Sequence, residues 1–423
     1  MIELKQGDRG AYVQMLQLAL KRAGADIKTD GIFGEDTYLK LREFQSQNGI
    51  EPSGIADDET WELLTPYLRG YRLITVQSDK SISEISEEYG IDLKRLKISN
   101  PELEDIVPAE TVITIPFDFD IVPTDINYTW ELVKYVTDGI SKVYPFVKLE
   151  SIGKSVMGKD LYVLKIGEGE TEVFYNAEHH ANEWITTPLL LKFAEEYSKC
   201  YSDTEEICSI LSENLYRTKT LYILPSVNPD GMDLVNGVIP VGEEYNRVLA
   251  ISKNYPDIKF PEGWKANILG VDLNLNYPAG WNNAKKIKYD LGFVSPAPRD
   301  FVGETSLSEP ESQAVYDFTN DHDFSLTMSY HSQGNVIYWK YLDYNPENSY
   351  KIAQKLSEVS GYNLELTPTE SGYAGYKDWF IQAYNRPGYT IEVGEGESPL
   401  PLSEFDEIYG KNIEMLIYAL EMA

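Results

Sequence analysis

Apolar side chains recur every three or four positions in three stretches of the first 70 residues, which predicts three short helices. The residues that set this spacing are Val13, Leu16 and Leu20, then Leu41 and Phe44, and finally Trp61 and Leu64. Turn signals separate the stretches at Asp30–Gly34 and at Gly54-Ile55. We therefore expect a small three-helix domain over residues 1–70.

A different pattern occupies residues 71–117. Ile74–Val76 and Val112–Pro116 are β-branched runs that predict strands. Two short helical patterns lie between them, and Asn100-Pro101 ends the second. The segment is therefore predicted to be a strand–helix–helix–strand domain.

In residues 125–423, β-branched and apolar runs alternate with longer helical patterns. The predicted strands are Leu161–Ile166, Val173–Tyr175, Leu221–Leu224, Leu326–Ser329 and Tyr389–Val393. The predicted helices are Thr186–Tyr197, Glu309–Asn320, Tyr350–Val359 and Phe405–Leu420. The alternation favours one α/β domain with a mostly parallel or mixed sheet and helices on both faces.

Composition then narrows the function classes. The 423-residue chain is 42% hydrophobic and 12% aromatic, which is typical of a folded protein and not of a disordered one. Its formal net charge of −31 argues against nucleic-acid binding, which needs a basic surface, and matches anionic membranes poorly. No apolar run reaches the about 18 residues of a membrane helix, so we expect no membrane span. The two cysteines, Cys200 and Cys208, are too few for a disulfide framework and are interpreted as ordinary thiols.

The chain opens with MIELKQGDRG, which is charged from Glu3 onward and lacks the apolar core of about 7–15 residues that a signal peptide needs. We therefore expect no secretory signal peptide. The protein would then be cytoplasmic, or associated with a spore or cell wall that it reaches by lysis or another unusual route.

Of four histidines, His180 has a carboxylate at a spacing that suits a metal site. It follows the apolar run 173–177, and Glu183 comes three residues later, as a helix begins, so both side chains can point at one metal ion. Zinc is commonly held by three such groups with water in the open position. Taken alone, the pair also fits ordinary polar residues on the surface.

A third ligand and a base must come from other parts of the chain. His331 ends the apolar run 325–330, and strand ends are where sheet enzymes place ligands; by itself it also fits a satisfied core histidine. Glu392 lies inside the strand-like run 388–394, where a buried carboxylate needs a partner. A base beside a zinc-bound water is one explanation, and an ion pair is the other.

Taken in order, the motifs of the third region resemble the zinc carboxypeptidase family over nearly all of residues 125–423. They are Ile152–Lys159, His180-Ala181-Asn182-Glu183-Trp184, Asn228–Gly231, Gly270–Asn274, Ser308–Glu311, His331-Ser332 and Thr390–Glu392. The resemblance implies one zinc ion on His180, Glu183 and His331, with Glu392 as the general base that activates water. It also implies a cation for the developing oxyanion, and Lys265 stands where the family has an arginine.

The two smaller domains resemble cell-wall-binding modules. The first, from Leu4–Gly7 through Asp30–Gly34 to Thr60-Trp61, is similar to the peptidoglycan-binding domain of cell-wall hydrolases. The second resembles a lysin-motif domain, which binds N-acetylglucosamine glycans, although Ser78–Lys80 replaces the usual Gly-Asp-Thr. Both can also be mere spacers, but two wall-binding resemblances in tandem favour a third domain that acts on cell wall.

Two arginines of the family's exopeptidases are missing. Leu275 replaces the arginine that holds the substrate's terminal carboxylate, and Asn182 replaces another. These changes argue against a C-terminal carboxypeptidase and fit an endopeptidase, whose substrate continues past the cut. Asn182 and Asn274 stay candidate substrate-binding residues.

By the same resemblance, Lys377 falls where the family sets side-chain preference. A lysine there would favour an acidic side chain on the leaving residue, such as that of meso-diaminopimelate. Tyr373 or Tyr376 would take the role of the family's mobile tyrosine.

Together these features resemble the bacterial γ-D-glutamyl-L-diamino acid endopeptidases, which cut stem peptides between D-glutamate and meso-diaminopimelate or lysine. The expected partner is peptidoglycan, with its glycan on the N-terminal domains and its stem peptide on the catalytic domain, and with no nucleic acid or membrane. A sporulation or intracellular wall-turnover role fits. The alternatives are a metallocarboxypeptidase or amidase acting on muropeptide fragments, and a non-catalytic wall-binding protein.

Overall fold

The structure is a computed structural model that describes residues 2–423, and the chain divides into two compact units. The first unit contains the chain up to residue 127 together with residues 131–148. The second contains residues 128–130 and 149–423. The predicted boundary between the two small domains, at residues 70 and 71, lies inside the first unit and stays a prediction.

Three helices open the first unit, at the positions that the apolar spacing predicts. They are α1 (Ala11–Arg22), α2 (Glu35–Gln47) and α3 (Asp58–Arg69). Their apolar faces meet in a common core, where Leu16 and Leu41 are fully buried. The helical N-terminal domain is therefore confirmed.

A buried glutamine holds each of the two turns between these helices. Gln17 accepts a hydrogen bond from the backbone N–H of Gly31 and donates one to the hydroxyl of Thr37. Gln45 makes the same two kinds of bond in the next turn. Because a buried amide must satisfy both its donor and its acceptor, each glutamine fixes the conformation of its turn.

The second predicted module has the expected order of strand, helix, helix and strand. Its elements are β1 (Tyr71–Thr75), β2 (Lys80–Ser81), α4 (Ile82–Tyr89), α5 (Leu93–Ser99), β3 (Ile106–Val107) and β4 (Val112–Pro116). Strands β1 and β4 pair antiparallel over a core that includes Ile85 and Leu96. A capping box between Ser81 and Glu84 begins α4. Helix α6 (Trp130–Val143) follows.

The second unit is built on one mixed sheet. Its strands are β5 (Lys148–Lys154), β6 (Asp160–Gly167), β7 (Thr171–Ala177), β10 (Lys219–Leu224), β11 (Phe324–His331), β12 (Val336–Tyr338), β13 (Asn363–Glu365) and β14 (Gly388–Glu392). They lie in the order β13-β12-β14-β11-β7-β10-β6-β5. The four central strands, from β14 to β10, run parallel, whereas β6 and β12 pair antiparallel with their inner neighbours. The short strands β8 (Glu206–Ile207) and β9 (Ile210–Leu211) form a separate hairpin.

Helices cover both faces of this sheet, as expected. They are α7 (Thr186–Asp203), α8 (Ser212–Thr218), α9 (Pro229–Val235), α10 (Glu243–Ser252), α11 (Trp281–Asp290), α12 (Pro310–Asn320), α13 (Ser349–Ser360), α14 (Tyr376–Tyr384) and α15 (Phe405–Met422). Phe174 of β7 packs on Phe318 of α12, and the next residue, Tyr175, packs on Phe193 of α7. Neighbours along a strand point to opposite faces, so these two helices lie on opposite sides.

All five strands and all four helices predicted for this region are present, with their ends shifted by a few residues. The sequence pattern missed β5, β12 and β13 of this sheet, because these strands are short or largely exposed and alternate weakly. Within residues 2–423, no helix combines the length and the apolar character that a membrane crossing requires.

Candidate active site

A single turn of 3₁₀ helix creates the first pair of metal-binding side chains. The turn covers Ala181–Glu183, and the backbone N–H of Glu183 donates to the carbonyl of His180 at 3.0 Å. Residues three apart eclipse one another in 3₁₀ geometry, so the two side chains point the same way. Nδ1 of His180 lies 3.0 Å from Oε1 of Glu183. The predicted pairing is present, although it uses this turn and not helix α7, which begins at Thr186.

His331, the last residue of β11, completes the group. Its Nδ1 lies 3.0 Å from Oε2 of Glu183 and 3.2 Å from Nδ1 of His180. Tetrahedral zinc with bonds of about 2.0–2.1 Å separates its ligand atoms by about 3.3 Å, so this spacing and the donor set of two imidazoles and a carboxylate fit the ion. His180, Glu183 and His331 form a group that can hold a metal ion.

Asp272 determines which nitrogen of His180 faces the metal. Its Oδ1 lies 3.2 Å from Nε2 of His180, so the proton stays on Nε2 and the lone pair of Nδ1 is free to bind. Burial raises the pKa of Asp272. His180 and the backbone N–H of Asp300 lower that pKa by a larger amount, so the net shift is downward. The carboxylate is therefore ionised at neutral pH.

Glu392 lies beside the metal-binding residues because of strand register. Parallel pairing of β11 with β14 makes His331 and Glu392 direct partners, and adjacent strands are about 4.8 Å apart. Burial and the charge of Glu183 raise the pKa of Glu392, against the opposing effect of Lys265 and His180. Since Glu392 forms no ion pair with any residue in 2–423, the ion-pair explanation has no support. A raised pKa suits a general base.

Lys265 reaches the same point from a loop. Its Nζ lies 2.7 Å from Oε1 of Glu183. Burial lowers the pKa of this ammonium, but the carboxylate of Glu183 raises it more, so the net pKa is raised and the lysine stays charged. The predicted cation thus stands next to the metal-binding point.

The other predicted residues differ in their access to the pocket that these groups line. Asn274 and Lys377 line it too, although Oδ1 of Asn274 already accepts the backbone N–H of Tyr376 at 3.1 Å. Asn182 is buried, and its Nδ2 donates to the carbonyl of Ser398 at 3.3 Å. Asn182 is therefore held by the fold and does not line this pocket.

Lys377 is engaged by its neighbours. Its Nζ donates to the carbonyl of Lys340 at 2.9 Å and to the hydroxyl of Thr367 at 3.0 Å, and it pairs with Asp378 at 2.7 Å. Both partners of this ion pair are almost completely buried. The charge of Lys377 is thus compensated within the protein.

The prediction for Tyr376 needs correction. This tyrosine is fully buried in the core, where its hydroxyl lies 3.0 Å from that of Thr319, so it cannot contact a substrate in this conformation. Tyr373 is partly buried and lines a neighbouring cleft together with Tyr341 and Leu366, beside the main pocket. Of the two candidates, Tyr373 alone is placed near a cleft.

Sequence reasoning missed two residues of the site. Asp272 lies in the run Gly270–Asn274, which resembles a motif of the family. The presence of a carboxylate in that motif could have indicated its role. Arg299 also lines the pocket. It lies in the loop between α11 and α12, where no periodicity marks it.

Two histidines and a glutamate around one point, a carboxylate of raised pKa and a charged lysine together define a metal-dependent hydrolase. The comparisons with known proteins agree. A model of the zinc carboxypeptidase family matches residues 134–415, and the chain belongs to this family. It is therefore a metallopeptidase with zinc as its cofactor. A model of a peptidoglycan binding domain matches residues 9–64.

Two relatives extend the comparison. The chain is 38% identical over 297 residues to γ-D-glutamyl-L-diamino acid endopeptidase 1 of Lysinibacillus sphaericus, which covers 70% of this chain and 72% of the relative. It is 39% identical over 285 residues to the protein YqgT of Bacillus subtilis, covering 66% and 74%. Among solved structures, bovine thrombin-activatable fibrinolysis inhibitor matches with a TM-score of 0.54 at 20% identity, over 71% of this chain and 98% of that one. At that identity the structural match shows the fold alone.

Proposed function

We propose that this protein hydrolyses the γ-D-glutamyl–diamino acid bond of peptidoglycan stem peptides. The observation that carries the proposal is its similarity to the Lysinibacillus endopeptidase over 70% of the chain. The pocket supports it, because it is lined by Leu275 at the position of the family's carboxylate-binding arginine. An endopeptidase needs no cation there, since its substrate continues beyond the cleaved bond.

The residues around the metal divide the chemistry between them. His180, Glu183 and His331 would hold the zinc, which lowers the pKa of a bound water and polarises the scissile carbonyl. Glu392 would take the proton of the attacking water and deliver it to the leaving amine, the amino group of the diamino acid. Lys265 would stabilise the negative charge that develops on the carbonyl oxygen. Asp272 would hold the ring of His180 in place throughout.

The first unit supports a role at the cell wall. Besides the peptidoglycan binding domain, we propose that residues 71–117 form a lysin-motif domain, because their order of elements and the β1–β4 pairing match that domain. In the departure at Ser78–Lys80, Oδ1 of Asp79 accepts the backbone N–H of Ala109 at 2.9 Å. The aspartate thus has a structural role in this turn. Binding of N-acetylglucosamine oligomers to the full chain would test whether the module binds glycan.

The proposed activity is tested with the tetrapeptide L-Ala-γ-D-Glu-meso-diaminopimelate-D-Ala and its lysine counterpart. The zinc-loaded protein is incubated with each peptide, and the products are identified by mass. Release of L-Ala-D-Glu supports the proposal, and the peptide that is cut faster identifies the preferred diamino acid. Release of free D-Ala alone would show a carboxypeptidase instead.

Glu392→Gln provides the matched control, because it keeps the shape of the side chain and removes the base. This variant should bind one zinc per chain and lose activity. Absence of turnover by the zinc-loaded wild type, together with binding of the full chain to purified cell-wall sacculi, would instead indicate a non-catalytic wall-binding protein.

A further inference from the structure

Arg299 is a cation of the pocket whose guanidinium keeps both terminal nitrogens without a protein partner within residues 2–423. Three of the four cations that line the pocket direct their ammonium groups at carboxylates: Lys265 at Glu183, Lys288 at Asp300 and Lys377 at Asp378. Arg299 bonds to Asp300 through Nε alone, and within residues 2–423 neither of its Nη atoms has an acceptor. Its side chain is 44% exposed. The outer edge of this guanidinium is therefore available to a ligand.

Asp300 holds Arg299 in place and ties it to the metal site. Its Oδ2 accepts from Nε of Arg299 at 2.7 Å, and its Oδ1 pairs with Lys288 at 2.5 Å. Its backbone N–H donates to Oδ2 of Asp272, the residue that fixes His180. Asp300 adopts a left-handed φ of 67°. Aspartate is among the few residues other than glycine that are often found in this conformation.

Arg299 and Lys377 have separate sets of neighbours. Arg299 is next to Asp300 and lies within electrostatic reach of Asp272 and Glu183, whereas Lys377 contacts Lys340, Thr367 and Asp378. Lys377 therefore belongs to the end of the pocket formed by α14 and the loop before it. Arg299 belongs to the end where Asp272 supports His180. Of these two cations, Arg299 alone keeps a free edge toward a ligand, and it lies on the side of the pocket next to the residues that support the metal.

We propose that Arg299 binds the free α-carboxylate of the D-glutamyl residue, on the acyl side of the scissile bond. This inference rests on the proposed function and names the group that the enzyme recognises. A γ-linked glutamate carries its α-carboxylate close to the reacting carbonyl, and a guanidinium with both Nη atoms free can bind that carboxylate through two parallel hydrogen bonds. Amidation of the same group, as in D-isoglutamine, removes the charge and one acceptor.

The test compares two stem peptides that differ in this group alone, one with D-glutamate and one with D-isoglutamine. The wild-type holoenzyme should cleave the D-glutamate peptide with a kcat/KM about 10- to 100-fold higher, the range expected for one charge-assisted contact. Arg299→Gln should lose this preference by slowing the D-glutamate peptide much more than the amidated one, which has lost the charge but keeps one acceptor. Arg299→Lys should retain only part of the preference for the D-glutamate peptide, because an ammonium cannot bind a carboxylate bidentately.

Arg217→Gln is the matched control, since Arg217 is an exposed arginine of α8 that pairs with Glu213. It should keep the full preference. Thermal unfolding of each variant checks that the fold is intact, and calorimetry with the products L-Ala-D-Glu and L-Ala-D-isoglutamine measures the same preference without turnover.

Four results would overturn the inference. Equal cleavage of both peptides by the wild type would show that the carboxylate is not recognised, while the proposed function stands. A preference that survives in Arg299→Gln would assign recognition to another residue. If Arg299→Gln instead changes the choice between diaminopimelate and lysine, the arginine contacts the leaving side. A wild type that cuts neither peptide would remove the proposed function, and this inference with it.

Discussion

The two ends of the active-site pocket use buried charge in different ways. At the metal end, nitrogen and oxygen donors of His180, Glu183 and His331 face one another at 3.0–3.2 Å. Donor atoms held this close favour a shared cation. At the far end, the ammonium of Lys377 is surrounded by Asp378, a hydroxyl and a carbonyl. That cluster is complete without a ligand.

This contrast separates residues that can act on a substrate from residues that only line the pocket. A buried charge with a full set of partners stabilises the fold, because removing one partner strands the other. A buried charge with unsatisfied capacity can bind. We therefore expect Glu392 to act on a substrate, and the same reasoning extends to the exposed guanidinium edge of Arg299, which has no protein partner within residues 2–423. We expect Lys377 to have little effect on specificity, because its charge is already paired.

The largest expected effect tests the metal end. Glu183→Ala removes a ligand that bonds toward both histidines, so zinc should no longer bind stoichiometrically. Activity should fall by more than about 1,000-fold, since the metal supplies several kcal/mol of transition-state stabilisation. Metal analysis of the purified variant and peptide turnover measure both effects. Retention of one zinc per chain would contradict the assigned ligand set.

The next effect separates metal binding from proton transfer. Glu392→Gln should lower kcat by about 100- to 10,000-fold, the contribution of a positioned base, while zinc content stays at one per chain. Steady-state kinetics and metal analysis on the same preparation measure kcat and zinc content, and so distinguish loss of the base from loss of the metal. Substantial remaining turnover would exclude Glu392 as the base.

A smaller effect is expected for Asp272, which contacts the ligand His180 and does not itself bind the metal. Asp272→Asn removes the carboxylate that orients His180, which should weaken zinc affinity or activity by about 10- to 100-fold. Competition with a chelator gives the affinity. An unchanged affinity together with unchanged kcat would show that the ring of His180 is held by other contacts.

At the far end, the comparison predicts a loss of stability and little change in activity. Lys377→Met strands the buried carboxylate of Asp378, which should lower the free energy of unfolding by about 3–5 kcal/mol. Urea denaturation measures this, and the double variant Lys377→Met with Asp378→Asn should recover part of the loss. A stable single variant with altered preference between diaminopimelate and lysine would instead restore Lys377 as a specificity residue.

The smallest effect is a pH dependence of the same variant. Burial raises the pKa of Asp378 and Lys377 opposes the shift, so removing the lysine raises that pKa further. The folded state then binds a proton more tightly than the unfolded one, and stability decreases as pH rises above the unfolded value of about 3.8. Unfolding measured at pH 5 and pH 8 should show a steeper decrease for Lys377→Met than for wild type, by at most about 1.4 kcal/mol per pH unit. Equal slopes would mean that other groups neutralise Asp378.

The sequence predicted the metal end and not the far end, for a physical reason. His331 and Glu392 end two paired strands, and His180 and Glu183 lie on the short turn that follows β7, so spacing and sheet topology bring the four together. The environment of Lys377 depends on Thr367 and on the carbonyl of Lys340, which loops supply. The burial of Tyr376 depends on which face of α14 packs on the sheet, and its neighbours in the motif do not reveal this. Arg299 could not be found by pattern because its role follows from the geometry of Asp300.

The register that pairs His331 with Glu392 also matters for how such an enzyme can change. A metal ligand and the adjacent carboxylate are direct cross-strand partners in one sheet, whereas Arg299 and the segment around Thr367 belong to loops. Insertions and exchanges in those two loops therefore leave the spacing of His331 and Glu392 unchanged. For protein engineering, this separates reactivity from selectivity: libraries confined to Arg299 and residues 366–375, with Asp300 kept because its backbone N–H bonds to Asp272, can be screened for new peptide targets.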